Sequence, residues 1–191
     1  ITVPTYYRCD VTCSGNTGTS AAKQVLVTPP SGCYCIPAAS DCTDDDMITR
    51  VRISTLDNSS TCSAGPPAGY ANYTSTVAAP TVYSGAANPI TVNVPTVWTE
   101  QVAVWIDYNQ NGAFEAAEKL YVSPAGTVGP HTETANVNIP STALNGITRM
   151  RVVSVETGTP GNINPCGTYL WGETEDYLVN ITPCVPVTVT T

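Results

Sequence analysis

The stretch from Val102 to Glu118 joins a strand pattern to a loop rich in oxygen-bearing side chains. Val102, Val104 and Ile106 fall on one side of an extended chain, and their neighbours, which are also apolar, fall on the other. This period of two predicts a strand covered by protein on both faces. A chain that contains such a strand must fold with layers on both sides of it.

The loop that follows has the spacing of a twelve-residue calcium loop. A short loop can surround a hard cation only if alternate residues turn inward and a glycine takes the sharp bend, as Gly112 does at the sixth place. The spacing predicts a calcium site in a β protein, in which only residues 115–119 could form a helical turn. A polar hairpin loop built on Asn111-Gly112 is the alternative. The candidate metal residues are Asp107, Asn109, Asn111, Ala113, Glu115 and Glu118.

The cysteines indicate the compartment. An even number of them in a chain with only 12% charged residues predicts disulfides and an extracellular location, either secreted or attached to a cell surface. Zinc is the weaker alternative, because no C-x2-C spacing occurs and His131 is the single histidine. We expect Cys42 to pair with Cys62, and either Cys35 or Cys33 to pair with Cys166. The eight residues are Cys9, Cys13, Cys33, Cys35, Cys42, Cys62, Cys166 and Cys184.

Charge and hydropathy exclude several classes of partner. The chain has 7 basic and 15 acidic residues, a net charge of -8, which argues against a nucleic-acid or anionic-membrane surface. No stretch is long and apolar enough to insert into a bilayer, and none resembles a signal peptide. We therefore expect a processed, secreted protein with no nucleic-acid partner and no membrane insertion.

Turn residues divide the chain into three parts. Residues 1–30 predict a hairpin, with strands Thr5–Thr12 and Ala22–Thr28 around a turn at 14–18, similar to the end of an immunoglobulin-like domain. Residues 31–183 predict the main domain. Residues 184–191 predict a terminal strand or linker, whose free edge could pair with a neighbour.

The main domain reads as short strands bounded by glycine, proline, asparagine and serine. This pattern predicts an all-β, disulfide-stapled antiparallel β-sandwich of jelly-roll type rather than a barrel. Asp57–Gly69 reads as a loop. The predicted strands are Met47–Leu56, Ala79–Tyr83, Ile90–Val94, Val102–Ile106, Leu120–Ser123, Thr134–Ile139, Thr148–Val155 and Asp176–Ile181.

Several spaced motifs together resemble one family. The run Trp105–Gly112, the segment Thr148–Arg151, the segment Pro165–Gly167 and the motif Gly172–Tyr177 occur in the order typical of the GEVED domain of secreted Bacteroidetes-type surface proteins. The resemblance extends over residues 33–182. It implies a β-sandwich module attached to proteases, adhesins or cell-surface polypeptides, and it implies no activity of its own.

The chain departs from the family pattern at three positions. Thr174 replaces the valine of the motif that gives the family its name. Asn111 and Ala113 stand where the family's loop usually has aspartates. The resemblance therefore implies the conformation of the loop, but it is a weaker guide to the affinity of the loop for a metal. Calcium affinity suited to an extracellular concentration is the expectation.

The acidic residues Glu173, Glu175 and Asp176 allow two interpretations. They could supply further oxygen ligands that tie the last strand to the loop at Asp107. They could instead form a structural network with Arg149 and Arg151, which alternate onto one face of their strand. The sequence leaves both open.

The residues favour a non-catalytic protein. His131 lies between turn residues, no G-x-S-x-G motif is present, and every cysteine fits a disulfide. We expect a structural or adhesive subunit of a cell-surface or fibre-forming protein that self-associates by strand exchange or inter-chain disulfides. The alternative is a carbohydrate-binding module of a larger secreted protein, which stacks a surface glycan on Trp98 or Trp171 and has Tyr70 and Tyr73 in loops.

Overall fold

A computed structural model describes residues 5–25, 34–37, 41–95, 97–157 and 163–184. Its regular elements are strands and one turn of 3-10 helix at Ala116–Glu118. No helix in these ranges has the length and apolarity needed to cross a membrane. The strands are β1 (Thr5–Tyr7), β2 (Asp10–Cys13), β3 (Asn16–Thr19), β4 (Lys23–Val25), β5 (Arg50–Ile53), β6 (Leu56–Ser59), β7 (Tyr70–Asn72), β8 (Thr81–Ser84), β9 (Ala87–Val94), β10 (Thr99–Ile106), β11 (Lys119–Val122), β12 (Thr127–Val128), β13 (His131–Asn138), β14 (Gly146–Glu156) and β15 (Gly172–Pro183).

Two sheets form the main domain. The larger one has the strand order β11-β10-β14-β15-β7, with β12 beside β10 and β8 beside β15. The smaller one has the order β13-β9-β5-β6. The predicted disulfide-stapled β-sandwich is confirmed, with one addition: β7 and β8 run parallel to β15, while the other pairs are antiparallel.

Strand β10 is buried on both faces, as its sequence predicts. Val102, Val104 and Ile106 belong to the core between the sheets, together with Val92 of β9 and other apolar side chains of both sheets. Ala103 and Trp105 point the other way, into a second apolar cluster that includes Tyr34 and Phe114. Full burial of each large apolar side chain contributes about 1.5–3 kcal/mol to stability.

The hairpin at residues 5–25 forms with a shorter turn than predicted. Ser14 and Gly15 have positive φ angles of 49° and 80°, and β3 begins directly after them at Asn16. This two-residue turn pairs β2 with β3, and β1 pairs with β4 further along. Every strand residue of the hairpin is exposed except the half-buried Thr5.

The predicted boundary between a strand and a loop within residues 47–69 was wrong. The segment read as one strand followed by a loop contains the hairpin β5–β6, in which Ile53 and Leu56 are register partners. Ser54 takes a φ of 53° in the turn. The turn has serine but no glycine, asparagine or proline, so the turn signal in the sequence is weak at this place. Strand β7 was also missed, since it has only three residues.

Two disulfides staple the domain. Cys42 pairs with Cys62, as predicted, and Cys166 pairs with Cys35. The alternative partner Cys33 lies outside the described residues. Cys9, Cys13 and Cys184 are exposed and form no disulfide within the described residues. The predicted terminal segment 184–191 also lies outside them, apart from Cys184.

Candidate functional site

The candidate metal loop connects β10 to β11. Strand β10 ends at Ile106 and places Asp107 next to the second apolar cluster. At the other end of the loop, the 3-10 turn Ala116–Glu118 leads into β11. Gly112 has a φ of 84°, the left-handed conformation that the sharp bend requires. The helical turn expected within residues 115–119 is therefore present, and the loop has the predicted bend.

Asp107 is fully buried and organises the first half of the loop. Its Oδ1 accepts a hydrogen bond from the backbone N–H of Asn111 at 3.2 Å, and its Oδ2 accepts one from that of Gly112 at 3.0 Å. The hydroxyl of Tyr34 also donates to Oδ2. These three donors satisfy both oxygens of a buried carboxyl group.

Glu118 closes the loop from its other end. It is fully buried, and its two carboxylate oxygens accept backbone N–H groups from Asn109 at 3.3 Å and Glu115 at 3.1 Å. Burial raises the pKa of Glu118, those two backbone donors lower it, and the nearby charges of Asp107 and Glu115 raise it further. The loop thus concentrates negative charge that a bound cation would neutralise.

The middle of the loop is held by its amide side chains. The Oδ1 of Asn109 accepts the N–H of Asn111 at 3.0 Å, and the Oδ1 of Asn111 accepts the N–H of Ala113 at 2.9 Å. The two amide NH2 groups donate to the carboxylate of Glu115 at 2.9 and 3.1 Å. The loop therefore brings together the side chains that the calcium-loop spacing predicted, those of Asp107, Asn109, Asn111, Glu115 and Glu118.

The donor set fits a hard cation such as calcium, because every available ligand atom is a carboxylate, amide or carbonyl oxygen. In the described part of the chain, no group of three or more His, Cys, Asp or Glu side chains is placed to hold a metal ion. Asp107 and Glu118 would therefore need Asn109, Asn111 and the backbone carbonyl of Ala113 as further ligands. Ala113 has no side-chain oxygen of its own.

Asp176 joins the motif Gly172–Tyr177 to the two arginines of β14. Its carboxylate accepts hydrogen bonds from Arg151 at 2.7 Å to each oxygen, from Arg149 at 3.3 Å and from the hydroxyl of Tyr70 at 2.8 Å. The structural network that the sequence left open is therefore present at this residue. The whole motif lies inside β15, which begins at Gly172 rather than at the predicted Asp176, because the low strand propensity of the acidic residues concealed the start of the strand.

Tyr34 links this network to the candidate loop, and sequence reasoning missed it. The guanidinium of Arg149 lies over the Tyr34 ring, 4.4 Å from its centroid, while the Tyr34 hydroxyl contacts Asp107. Burial raises the pKa of the Tyr34 hydroxyl, so it stays a donor over the physiological range. The one available signal was its place before Cys35, whose disulfide fixes the segment beside the loop.

Glu173 and Glu175 lie on the opposite face of β15 from Asp176. The oxygens of Glu173 accept the N–H groups of Ile48 at 2.8 Å and Ser63 at 2.9 Å. Glu175 accepts the hydroxyl of Tyr177 at 2.7 Å, and burial raises its pKa to about 8. The structure therefore does not bring these two carboxyls to the candidate loop.

The aromatic candidates for glycan stacking differ in exposure. Trp98 is 49% exposed, and its Nε1 donates to Asp44 at 3.3 Å. Trp171 is half-buried and forms an isolated bridge with Asp41. Tyr70, expected in a loop, lies in β7 and is buried.

Comparison with known proteins supports the resemblance. The family model of the GEVED domain matches residues 101–180, a span that runs from β10 into β15 and includes both the candidate loop and the motif Gly172–Tyr177. A search of the curated proteins found no match. Residues 101–180 of this chain are therefore similar to the GEVED domain.

Proposed function

We propose that this chain is a non-catalytic extracellular module, a structural or adhesive subunit of a cell-surface or fibre-forming protein that calcium stabilises at the loop Asp107–Glu118. The observation that carries the proposal is the burial of both loop carboxylates, Asp107 and Glu118, at opposite ends of one oxygen-rich loop. Because buried carboxylates are costly unless their charge is compensated, a cation bound between them would stabilise the loop. The two disulfides and the all-β fold are compatible with an extracellular location.

Calcium would act on this module as a clamp. The Tyr34 hydroxyl and the Arg149 guanidinium connect the loop to Asp176, so a filled loop stabilises both the β10–β11 connection and β15. A cation that binds only the folded state adds about 2.7 kcal/mol of stability when its concentration is a hundred times its dissociation constant. The clamp therefore suits a module exposed to an extracellular calcium level.

Thermal unfolding in calcium and in chelator tests the clamp. We expect calcium to raise the Tm of the wild-type protein and the variant Glu118→Gln to lose most of this increase. The control Asp10→Asn removes one charge from the exposed hairpin and should keep the increase. A wild-type Tm that is indifferent to calcium and to chelator would show that the loop is only a polar hairpin.

Non-catalytic character is supported by the surroundings of His131. Its Nδ1 lies 2.7 Å from the carbonyl oxygen of Gly129, and its Nε2 lies 3.3 Å from Glu133. A general base needs a ring nitrogen available to a substrate, and both nitrogens of this ring face protein oxygens.

Self-association is the proposed mode of assembly. The hairpin exposes Tyr6 and Val11 at 65% and 63% of their surface, and the thiols of Cys9, Cys13 and Cys184 are accessible. A two-stranded hairpin is marginally stable in water, so it gains stability from a partner. Non-reducing electrophoresis with light scattering tests this: we expect covalent oligomers that a Cys9→Ser, Cys13→Ser, Cys184→Ser variant loses. A protein that is wholly monomeric in both measurements contradicts it.

A carbohydrate-binding module is the second candidate, and the exposure of Trp98 favours it. An indole that is half exposed and has a carboxylate beside it offers an apolar face and a polar neighbour, which suits a sugar ring. A glycan array would show binding that Trp98→Ala abolishes. The control Tyr83→Ala, an aromatic residue of 48% exposure, should leave binding unchanged. An array on which the protein binds no glycan contradicts the carbohydrate-binding function.

A further inference from the structure

Five segments of the main domain meet at the end of the sandwich where β10 begins and β14 ends. The indole of Trp98 donates to Asp44 at 3.3 Å. Backbone hydrogen bonds join the other segments: Gly129 donates to Trp98 at 3.1 Å, Thr157 to Thr99 at 3.0 Å, Glu156 to Trp171 at 3.4 Å and Asp41 to Leu170 at 3.1 Å. We call this surface the tryptophan end, and its segments are residues 41–45, 97–99, 127–129, 156–157 and 168–171.

The tryptophan end exposes large apolar side chains. Val97 is 60% exposed, Val128 is 72% exposed and Leu170 is 76% exposed. The half-exposed ring of Trp98 lies among them. Apolar surface gathered at one place on a soluble domain, with polar residues around it, marks a site of interaction.

A cleft of about 280 Å3 opens within the tryptophan end. Leu170 and Trp171 line it on one side, and Glu156 lines it on the other. Its volume lies just below that of small-molecule pockets, roughly 300–1,000 Å3. A cleft of this size suits one anchoring side chain of a protein partner.

The charge of the tryptophan end is negative. Its five segments contain no lysine, arginine or histidine. The side chains of Asp41, Asp44 and Asp45 are exposed there, and that of Glu156 is half-buried. Because charges of opposite sign across an interface favour the correct partner, the partner that fits this end is both apolar and basic.

The hairpin at residues 5–25 has both properties. Tyr7 is the register partner of Lys23, and Val25 lies two residues beyond Lys23, so these three side chains share one face of the β1–β4 pair. Tyr7 is 49% exposed, Val25 is 41% exposed, and Lys23 is exposed as well. The hairpin has a net charge of +1, whereas the whole chain has a net charge of -8.

We propose that the hairpin of one copy docks on the tryptophan end of a second copy, with Tyr7 in the cleft beside Leu170 and Lys23 facing the carboxyl groups around it. The exposure of this hairpin face shows that the copy's own described domain does not cover it. The two surfaces are different and occur on every copy, so copies join head to tail. The inference rests on the self-association proposed above and assigns its two surfaces.

Sedimentation equilibrium of a thiol-free parent, Cys9→Ser/Cys13→Ser/Cys184→Ser, measures the docking without covalent links. We expect this parent to self-associate, and Leu170→Asp in the same background to raise the dissociation constant at least about tenfold, the effect of charging an apolar anchor. The control Leu144→Asp changes a side chain that is 53% exposed and follows Tyr108, at the other end of β10. It should associate as the parent does.

A mixing experiment tests the head-to-tail arrangement. The thiol-free variant Lys23→Asp/Val25→Asp changes only the hairpin, and Leu170→Asp changes only the tryptophan end. Each variant alone should be monomeric, whereas a mixture of the two should form a dimer with one copy of each, because one supplies an intact hairpin and the other an intact end. A mixture that stays monomeric overturns the proposal.

The same measurements separate this inference from the proposed self-association. If Leu170→Asp associates as tightly as its parent, the hairpin meets another surface, such as a second hairpin, and the docking site is wrong. If the thiol-free parent is monomeric while the wild type forms disulfide-linked oligomers, the docking is wrong and the proposed self-association stands. If the wild type is monomeric as well, both are wrong.

Discussion

The guanidinium of Arg151 donates one hydrogen bond to each carboxylate oxygen of Asp176, both at 2.7 Å, and neither side chain is exposed to solvent. The same guanidinium donates to the backbone carbonyls of Pro165 at 2.6 Å and Cys35 at 2.9 Å. One buried arginine therefore holds the strand pair β14–β15 and both segments that the Cys35–Cys166 disulfide joins.

Removal of this arginine should be strongly destabilising. In Arg151→Met the Asp176 carboxylate loses its bidentate partner and two backbone carbonyls lose their donor, and breaking one side of a buried pair costs about 3–5 kcal/mol. Urea denaturation measures the change. The control Arg52→Met removes an exposed guanidinium that contacts Thr91, and it should cost below about 1 kcal/mol. Similar losses in both variants would contradict the role assigned to Arg151.

Substitution of Tyr34 tests the link between the candidate loop and the arginines. Tyr34→Phe removes the hydroxyl that donates to the buried Asp107, and an unsatisfied buried acceptor costs about 1–3 kcal/mol. Calcium should restore part of this loss, because an ion bound in the loop would coordinate the Asp107 oxygen that has lost its hydrogen-bond donor. The control Tyr108→Phe removes an exposed hydroxyl 3.4 Å from the Ala117 carbonyl, and its stability should be close to that of the wild type. A Tyr34→Phe protein as stable as the wild type would show that the Tyr34 hydroxyl does not stabilise the loop.

The two disulfides should differ in their contribution to stability. The bridge Cys35–Cys166 spans 131 residues and Cys42–Cys62 spans 20. In the chain-entropy model, removing them costs about 5 and about 3 kcal/mol respectively. Thermal unfolding of the paired serine variants Cys35→Ser/Cys166→Ser and Cys42→Ser/Cys62→Ser should show this order. The reverse order would mean that local packing, rather than the length of the closed loop, determines how much stability each disulfide contributes.

Gly172, the first residue of the motif Gly172–Tyr177, should resist substitution. Its φ is 141°, and a Cβ there would stand 2.3 Å from the backbone oxygen of Ser154. We expect Gly172→Ala to lower stability by at least about 2–3 kcal/mol. The control Gly146→Ala shares a positive φ of 117° but meets only the end of the Gln110 side chain, at 3.9 Å. The difference in stability loss between the two variants measures the effect of the steric clash at Gly172. Equal stability losses would show that the clash has no effect.

The sequence predicted features that depend on local periodicity. Strand β10 and its two buried faces follow from alternation alone, and the bend at Gly112 follows from the loop spacing. The turn at Ser54 could not be predicted, because the tertiary pairing of β5 with β6 stabilises a positive φ at a residue type that seldom signals one.

Long-range contacts lay beyond sequence reasoning. Tyr34 and Asp107 are 73 residues apart, and nothing in either neighbourhood indicates their contact. The three acidic residues of β15 point to different partners because the strand alternates: Asp176 faces Arg151, while Glu173 and Glu175 face the core between the sheets. Spacing showed this alternation, but only the fold showed which face meets the candidate loop.

The position of β15 between β14, β7 and β8 has a consequence for how the molecule folds. Thr174 pairs with Tyr70 and Asn180 pairs with Thr81, so the parallel edges of the larger sheet join residues about a hundred positions apart. Closure of such distant segments is slow, since the entropy of the intervening chain must be lost before the contacts form. Strands β7 and β8 can take their places only after β15, the last of the described strands, has been synthesised. The larger sheet therefore cannot be completed on this side until β15 is available, so the early strands β7 and β8 depend on a strand about a hundred residues away for their hydrogen-bonding partners.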